Sequence, residues 1–401
     1  MLKFATFNRL LCESIGSSGH IKHLNHPEDG IFDGADGFNA AHHFLHAMHH
    51  HLKGKDSYVD NVSTKTDGSV SVVFGHHPVS GKFFVGSKSV FNKDAKLNYT
   101  EEDIERNHGH APGLVHALKQ SLKHLPKIAA KSGVYQSDLV FTHDTKHYDD
   151  KGTYFQPNTI TYSVDLNHPD YHQVANAKIG LAAHTKYEGT PESEHNLVGM
   201  SAKPFFGKEE LRGHKDVHIT DNRFKSGDIK VNSDKIDHHL DVAHKIYSTM
   251  KMHHMDSVRA HSGMLNTYIN KTIRDGSKAN LEDYRAHLSE KLSKEVDKVK
   301  TEASKAKKQA VHDEAVAHFD NNRDHIAKAL QIHNHLQTAK NEMVRAMNNS
   351  SHYYGHSFKG QKTNPEGYAV TNKDGETIKL VDRDEFSKNN FANSEERFGK
   401  K

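Results

Sequence analysis

The sequence predicts an α+β protein, an antiparallel-sheet domain interrupted by a long helical insertion. Three observations carry that expectation. Between residues 60 and 230, short β-branched and aromatic runs such as "SVSVVFG", "GKFFVGSKSVF" and "KIGLAAHTKY" are separated by Gly, Pro and Asp turns. From residue 234 the apolar positions step by threes and fours for roughly a hundred residues, the mark of amphipathic helices. Strand signals then return in "EGYAVTNKDGETIKLVDR", where "KDGE" supplies an Asp-Gly hairpin turn. Two strands alone are only marginally stable, so this pair is expected to return to the first sheet. The implied division is an N-terminal helical and loop segment over 1–60 and a first part of the sheet domain over 61–233. The insertion then spans 234–355, and the final strands and tail 356–401.

Each element has a local reason. "GFNAAHHFLHAMHHHLKG" spaces Phe38, Ala41, Phe44, Leu45, Met48 and Leu52 on one helical face and stops at Gly54. "HHPVSG" carries the Pro and Gly of a turn between two strands. Residues 101–130 open with Glu101, Glu102 and Asp103, acids suited to a first helical turn, and return to helix. "GVYQSDLVFTH", "NTITYSVDL" and "DVHITDNRF" are further strand candidates. In the insertion, Leu281, Tyr284, Leu288, Leu292, Val296, Val299, Ala303, Ala306 and Ala310 form one continuous stripe, read as a single helix. Ala315, Phe319, Ile326, Leu330, Val344 and Met347 imply at least one more. The lysine-rich run Lys291–Lys308 is interleaved with Glu290, Glu295, Asp297 and Glu302, which reads as a solvated, ion-paired face.

Composition excludes several classes. With 54 Lys and Arg against 51 Asp and Glu, the net charge of +3 creates no global field for nucleic acid or membrane, so any basic surface is local. The single cysteine, Cys12, excludes an internal disulfide framework and fits a reducing compartment. No apolar run approaches the ~20 residues that span a bilayer, and the N-terminus lacks the long apolar core of a signal peptide. The expectation is a soluble, cytoplasmic protein with no membrane partner. The 37 histidines show no H-E-x-x-H or paired-Cys spacing, so they are expected at surface positions, their charge rising as pH falls through about 6.5.

The stretch "VSTKTDGS" places Lys65, Asp67 and Gly68 at a strand entrance. A solvated turn is the plain reading of four such residues. Further strings follow in order: "VGSKS" with Ser87 and Lys88, "YQSDLVF" with Asp138, "TITYSVD" with Tyr162, "PEGYAV" with Glu366, and "TIKLV" with Lys379. This succession resembles the covalent nucleotidyltransferases, the DNA ligases, RNA ligases and mRNA capping enzymes. With "HLNHPED" and "DRDEFSKNNF" it is closest to a ligase-like family of tailed bacteriophages. The resemblance covers roughly residues 20–230 and 360–392 and omits the helical insertion.

The resemblance implies an antiparallel-sheet nucleotidyltransferase (ligase-like) domain and assigns roles by position. Lys65 would be the nucleophile. Asp67, Gly68, Lys88, Asp138, Tyr162 and Lys379 would bind the nucleotide, Asp138 at the ribose and Tyr162 on the base. Glu366 would place Mg²⁺ or Mn²⁺, hard cations that favour oxygen ligands and phosphates. The expected activity is an ATP-dependent polynucleotide ligase acting through a lysyl-AMP intermediate, with GTP as the other nucleotide. Its partners would be nucleic-acid 5′-phosphate and 3′-hydroxyl ends. The amine must be unprotonated to attack, and Lys88 and Lys379 beside the same triphosphate would favour that form. About twenty residues follow the last motif, too few for an appended oligonucleotide-binding barrel, which tilts the expectation toward RNA ligases.

Three positions depart from the family pattern: Ser63 where an acid reads the base, Asp138 for Glu, and Val381 where a second lysine often stands. They keep other readings open. One is nucleotidyl transfer to a capping end or a protein. Another is a non-catalytic nucleic-acid-binding or virion-associated phage protein whose helical insertion mediates self-association.

Overall fold

The computed structural model describes residues 26–55, 58–66, 68–205, 211–221, 223–224, 229–350, 354–373 and 377–387. A 3₁₀ turn over Pro27–Asp33 leads into α1 (Ala35–Leu52), which is followed by β1 (Val59–Thr64), β2 (Ser71–His76) and β3 (Phe83–Gly86). Next come α2 (Glu101–His108), α3 (Pro112–His124), β4 (Gly133–Thr142), β5 (Lys146–Tyr148), β6 (Gly152–Phe155) and β7 (Thr161–Asp165). The short α4 (Tyr171–Asn176) precedes β8 (Ile179–Glu188), β9 (Ser201–Pro204) and β10 (Val217–Ile219). Helices then succeed one another: α5 (Ser233–Ser248), α6 (Met252–Arg259), α7 (Ser262–Asp275), α8 (Leu281–Asp297), α9 (Glu302–Asn321) and α10 (Arg323–Asn348). β11 (Gly355–Phe358), β12 (Gln361–Lys362), β13 (Tyr368–Asn372) and β14 (Thr377–Leu380) follow, then a turn over Arg383–Ser387. The α+β class holds.

Among the described residues the strands form three sheets, ordered β1-β13-β14, β10-β8-β4-β2-β3 with β9 on β8, and β12-β11-β7-β6-β5. All registered pairs are antiparallel except β10 on β8. The C-terminal hairpin pairs with β1, Ser63 opposite Ala369 and Thr64 opposite Tyr368. It does not join the sheet of β2 and β3, as the sequence reading expected of the first sheet. β1 and β2 therefore belong to different sheets, and Lys65 begins the crossing between them. The chain leaving β10 runs back along β1, with Phe224 N–H donating to the Val62 carbonyl at 2.8 Å and Arg223 bridged to Ser63.

The helical region shares one hydrophobic core with the smallest sheet and the N-terminal helix. Phe38, Leu45 and Met48 of α1, Val62 of β1, and Tyr368 and Leu380 of the hairpin belong to the same buried cluster as Leu240, Tyr268, Leu336 and Met343 of the helices. The second core lies between the central sheet and α2 and α3, through Phe74, Tyr135, Leu181, Ile104 and Leu118. The third fills the gap to the five-stranded sheet, with Phe141, Phe155, Tyr162 and Val381.

Two expectations about side chains are corrected. The stripe from Leu281 to Ala310 is two helices and not one. The chain turns at 298–301, where the Thr301 side chain caps α9 by accepting from Ser304 N–H. The stripe does not stay on one buried face across the turn: Leu292, Val296 and Val299 are half-buried, whereas Ala303, Ala306 and Ala310 of α9 are exposed. The histidines are not confined to the surface: His49, His77, His108, His124, His218, His261 and His333 are buried. Some of them meet neighbouring polar groups, as where His218 Nε2 meets the Tyr354 hydroxyl at 2.6 Å and His77 Nε2 meets the Asn196 carbonyl at 3.1 Å.

Candidate functional site

Lys65 follows the last residue of β1 and is fixed by its backbone, whose N–H donates to the Gly367 carbonyl at 2.7 Å. Gly367 sits at φ +153°, and a Cβ there would stand 2.5 Å from the Leu380 carbonyl oxygen, so the position requires glycine. This tight approach carries the preceding residue, Glu366, to the end of β1. The Lys65 ammonium and the Glu366 carboxylate form an ion pair across 301 residues of sequence. Glu366 is only 7% exposed, whereas Lys65 keeps 29% of its side chain open.

Lys379 enters through the sheet register. It lies opposite Ala369 on β13, and Ala369 lies opposite Ser63 on β1. Directly paired residues share a face and strands alternate every second residue, so Lys379, Ser63 and the position of Lys65 lie on one side. Burial lowers the Lys379 ammonium pKa, and the charges of Lys65 and Arg383 lower it further against the opposing pull of Asp29 and Glu28.

The crossing after Lys65 is laid onto β4. Ser69 N–H donates to the Leu139 carbonyl at 2.9 Å. A Cβ on Gly68 would fall 2.5 Å from Asp138 Cβ and 2.8 Å from the Leu139 carbonyl oxygen. Only a glycine lets the chain press that closely against Asp138. Asp138 itself is opposite Ser71 of β2 and Ala182 of β8, and its Oδ1 lies 3.4 Å from His184 Nε2. Burial pushes the Asp138 carboxyl up, but the His184 hydrogen bond and charge, with Lys65 next, outweigh it and hold it below its ordinary value.

The other predicted residues are placed less centrally. Lys88 opens a 3₁₀ turn over Lys88–Phe91 and is exposed. β3 ends at Gly86 opposite Val73, so Lys88 lies beyond it toward the sheet end where Ser71 faces Asp138. Tyr162 is 1% exposed, stacked on Phe155 at 5.6 Å and met edge-on by His356. Its ring is a core side chain with no open face for a base. Asp67 lies outside the described residues.

The residues fit a hard cation shared with phosphate better than a fully caged one. Glu366, Asn364, Asp382 and Glu385 line an oxygen-rich recess, yet no group of three or more His, Cys, Asp or Glu that could hold a metal occurs among the described residues.

Sequence reasoning missed two sets of groups. His184, the partner of Asp138, carries no signal, because the pairing depends on the β4–β8 register. The second set is a buried ionic network behind Lys379. Glu28 and Lys340 pair with both side chains fully buried. Arg383 Nη1 donates to both Asp29 oxygens at 3.0 Å, and its Nη2 donates to Asn270 at 2.8 Å. His333 Nε2 lies 3.0 Å from Asp29. Burial pushes the Asp29 carboxyl up, but Arg383 and then His333 reverse this and hold it far below its ordinary value. The charge-dense strings "HLNHPED" and "DRDEF" were its only trace, and they supply Glu28, Asp29 and Arg383.

No curated protein and no solved structure matches this chain. One family model does, over residues 21–395, and the chain accordingly belongs to DUF6267, a family of unknown function.

Proposed function

We propose that the chain is a covalent nucleotidyltransferase of the ligase type, built on the antiparallel-sheet domain that such enzymes share. The observation that carries this reading is the Lys65–Glu366 ion pair, with Lys379 on the adjoining strand of the same small sheet. Three motifs spread over more than three hundred residues supply one nucleophile, one carboxylate and one further cation to a single place. A solvated turn lysine needs neither of the other two.

In the proposed reaction the unprotonated Lys65 amine attacks the α-phosphorus of ATP. An N–P bond forms, the bond from that phosphorus to the bridging oxygen breaks, pyrophosphate leaves with the electron pair, and the amine proton passes to solvent. The nucleotide then moves to a 5′-phosphate end, which breaks the N–P bond and returns a proton to the amine. A 3′-hydroxyl finally displaces AMP and closes the strand. Lys379 would face the phosphates and stabilise charge as it develops. Mg²⁺ or Mn²⁺, held by Glu366 and the phosphates, would neutralise the leaving pyrophosphate. Asp138 with His184 lies beside the glycine that follows the nucleophile, where a ribose would rest.

Covalent labelling tests the proposal. Wild-type protein incubated with Mg²⁺ and α-labelled ATP, in parallel with GTP, is expected to retain acid-labile label on a denaturing gel. Lys65→Ala should retain none, and Glu366→Gln should label on the order of 100-fold more slowly. Folded, nucleotide-free wild type that takes up no label from either nucleotide would overturn the proposal. It would favour the non-catalytic alternative, phosphate binding on the same fold. Label that forms but never transfers to a 5′-phosphorylated RNA or DNA end would redirect the acceptor to another class.

A further inference from the structure

The α8–α9 hairpin leaves the body of the protein. Tyr284 and Leu288 on α8 and Phe319 on α9 are buried at its root, where the Tyr284 hydroxyl meets His261. Between Leu288 and Phe319 no side chain is buried, although both helices continue through this span. Leu292 and Ala315 are only partly covered, and Val311 is exposed. Two helices holding a thin seam of Leu, Val and Ala add little to the core. Such an element offers its surface to solvent or to a partner.

Its charge is predominantly positive. Residues 290–308 carry seven lysines against four carboxylates. His287, Lys291, Lys294 and Lys298 follow the i, i+4, i+7, i+11 spacing, so they share one stripe along α8 about 16 Å long. Lys294 and Lys298 are 67% and 69% exposed, and each spends one contact on a flanking glutamate, Glu290 and Glu295. Glu295 is a single acid facing Lys298, Lys308 and Lys291, the second of these from the opposite helix. Lys271 of α7, ion-paired with Asp275 at 3.2 Å, lies at the root of the stripe, its charge acting on His287 beside that of Lys291. The previous residue of α7, Asn270, holds Arg383, three residues beyond Leu380 and close enough for its charge to act on Lys379. The stripe thus starts on the helix that buttresses the candidate site and runs outward along the arm.

We infer that the α8–α9 hairpin is an arm that grips the phosphate backbone of a nucleic acid through Lys291, Lys294 and Lys298. The inference deepens the proposed function by giving its polynucleotide substrate a docking surface, and its acceptor chemistry rests on that reading. A stripe of exposed ammonium groups with few aromatics, whose surface ion pairs with Glu290 and Glu295 are weak enough to exchange for phosphate, suits backbone contact without base readout.

The test compares full-length wild type, Lys291→Gln/Lys294→Gln/Lys298→Gln, and a control that removes the same charge elsewhere, Lys123→Gln/Lys131→Gln/Lys151→Gln. Glutamine keeps helix propensity close to that of lysine, and far-ultraviolet circular dichroism checks the fold. The readout is fluorescence anisotropy of a labelled, 5′-phosphorylated single-stranded RNA of random sequence over a salt series. The arm variant should bind at least tenfold more weakly, with the slope of log affinity against log salt shallower by about 2. The control should match wild type. Equal affinity and slope for all three proteins would overturn the inference. So would an arm variant that dissociates a wild-type dimer in sedimentation while binding RNA unchanged, since a second copy would then be the occupant. Lys65 labelling is read on the same samples. Loss of RNA binding with label intact supports both proposals. Loss of binding in the arm variant from a wild type that never labels keeps the arm and removes the nucleotidyl transfer.

Discussion

Gly68 and Lys340 show how much of this molecule rests on single side chains. Gly68 has no φ that excludes other residues; its constraint is the wall of Asp138 and Leu139 that a Cβ would strike. Gly68→Ala should displace the crossing after Lys65, with a stability cost of about 1–3 kcal/mol and a larger loss of Lys65 labelling, read by thermal melting and by the gel. Unchanged labelling would mean that the crossing has slack that the geometry does not show. Lys340 is a harder case, because its charge and that of Glu28 are both fully buried. Lys340→Met leaves the buried Glu28 with only Arg383, 3.9 Å away, and should cost about 3–5 kcal/mol, whereas adding Glu28→Gln should restore much of it. A double variant as unstable as the single one would show that the network, and not the pair, carries the energy. The residue-level chemistry was only partly legible in the sequence. Lys65, Gly68 and Glu366 could be found because each sits in a short string whose glycine is demanded by a close backbone approach. Lys340 and His184 could not, since a lone charged or imidazole side chain reads as solvated until the fold supplies its partner. Tyr162 misled for the converse reason: an aromatic on a strand looks alike whether it stacks on a base or on Phe155.

At the scale of elements, helix contacts are built from paired imidazoles. His239 of α5 meets His335 of α10 at 2.8 Å, and His261 meets His318 of α9 at 2.9 Å. The His261 pKa is lowered to about 4, by burial first and His318 second, and that of His42 on α1 also to about 4, by burial and then His46. An unfolded histidine titrates near 6.5. Between pH about 6.5 and 4 the unfolded chain binds protons that the folded one refuses, so stability is intact above that window and falls as pH drops through it. The melting temperature should lie about 5 °C or more lower at pH 4.5 than at pH 7.5. A melting temperature that is flat across this range would show that these imidazoles take up protons in the folded state. The helical elements themselves were legible from their apolar spacing, and α1 keeps Phe38, Phe44, Leu45 and Met48 buried as that spacing requires. The break at 298–301 was hidden because the apolar spacing continues in sequence across the turn, although Ala303, Ala306 and Ala310 of α9 are exposed. β5, β6, β9, β11 and β12 gave no pattern. Each is a few residues long, too short for alternation to register.

Across the whole molecule, the helical region shares its core with the strands that carry Lys65 and Lys379. Arg383 ties the chain beyond β14 to the N-terminal turn at Asp29 and to α7 at Asn270, so segments far apart in sequence close around one sheet edge. The sequence could announce that two distant strand regions belong together, but not which strands pair, because the β1–β13 register is set by packing across some three hundred residues. That pairing is the structural fact on which the proposed chemistry depends. The most direct test of the central claim is intact-protein and peptide mass spectrometry of nucleotide-free protein after incubation with ATP and Mg²⁺. The expected result is a mass gain of one AMP per chain, mapped to Lys65 and absent from Lys65→Ala. No gain, or a gain mapped to any other residue, would contradict it.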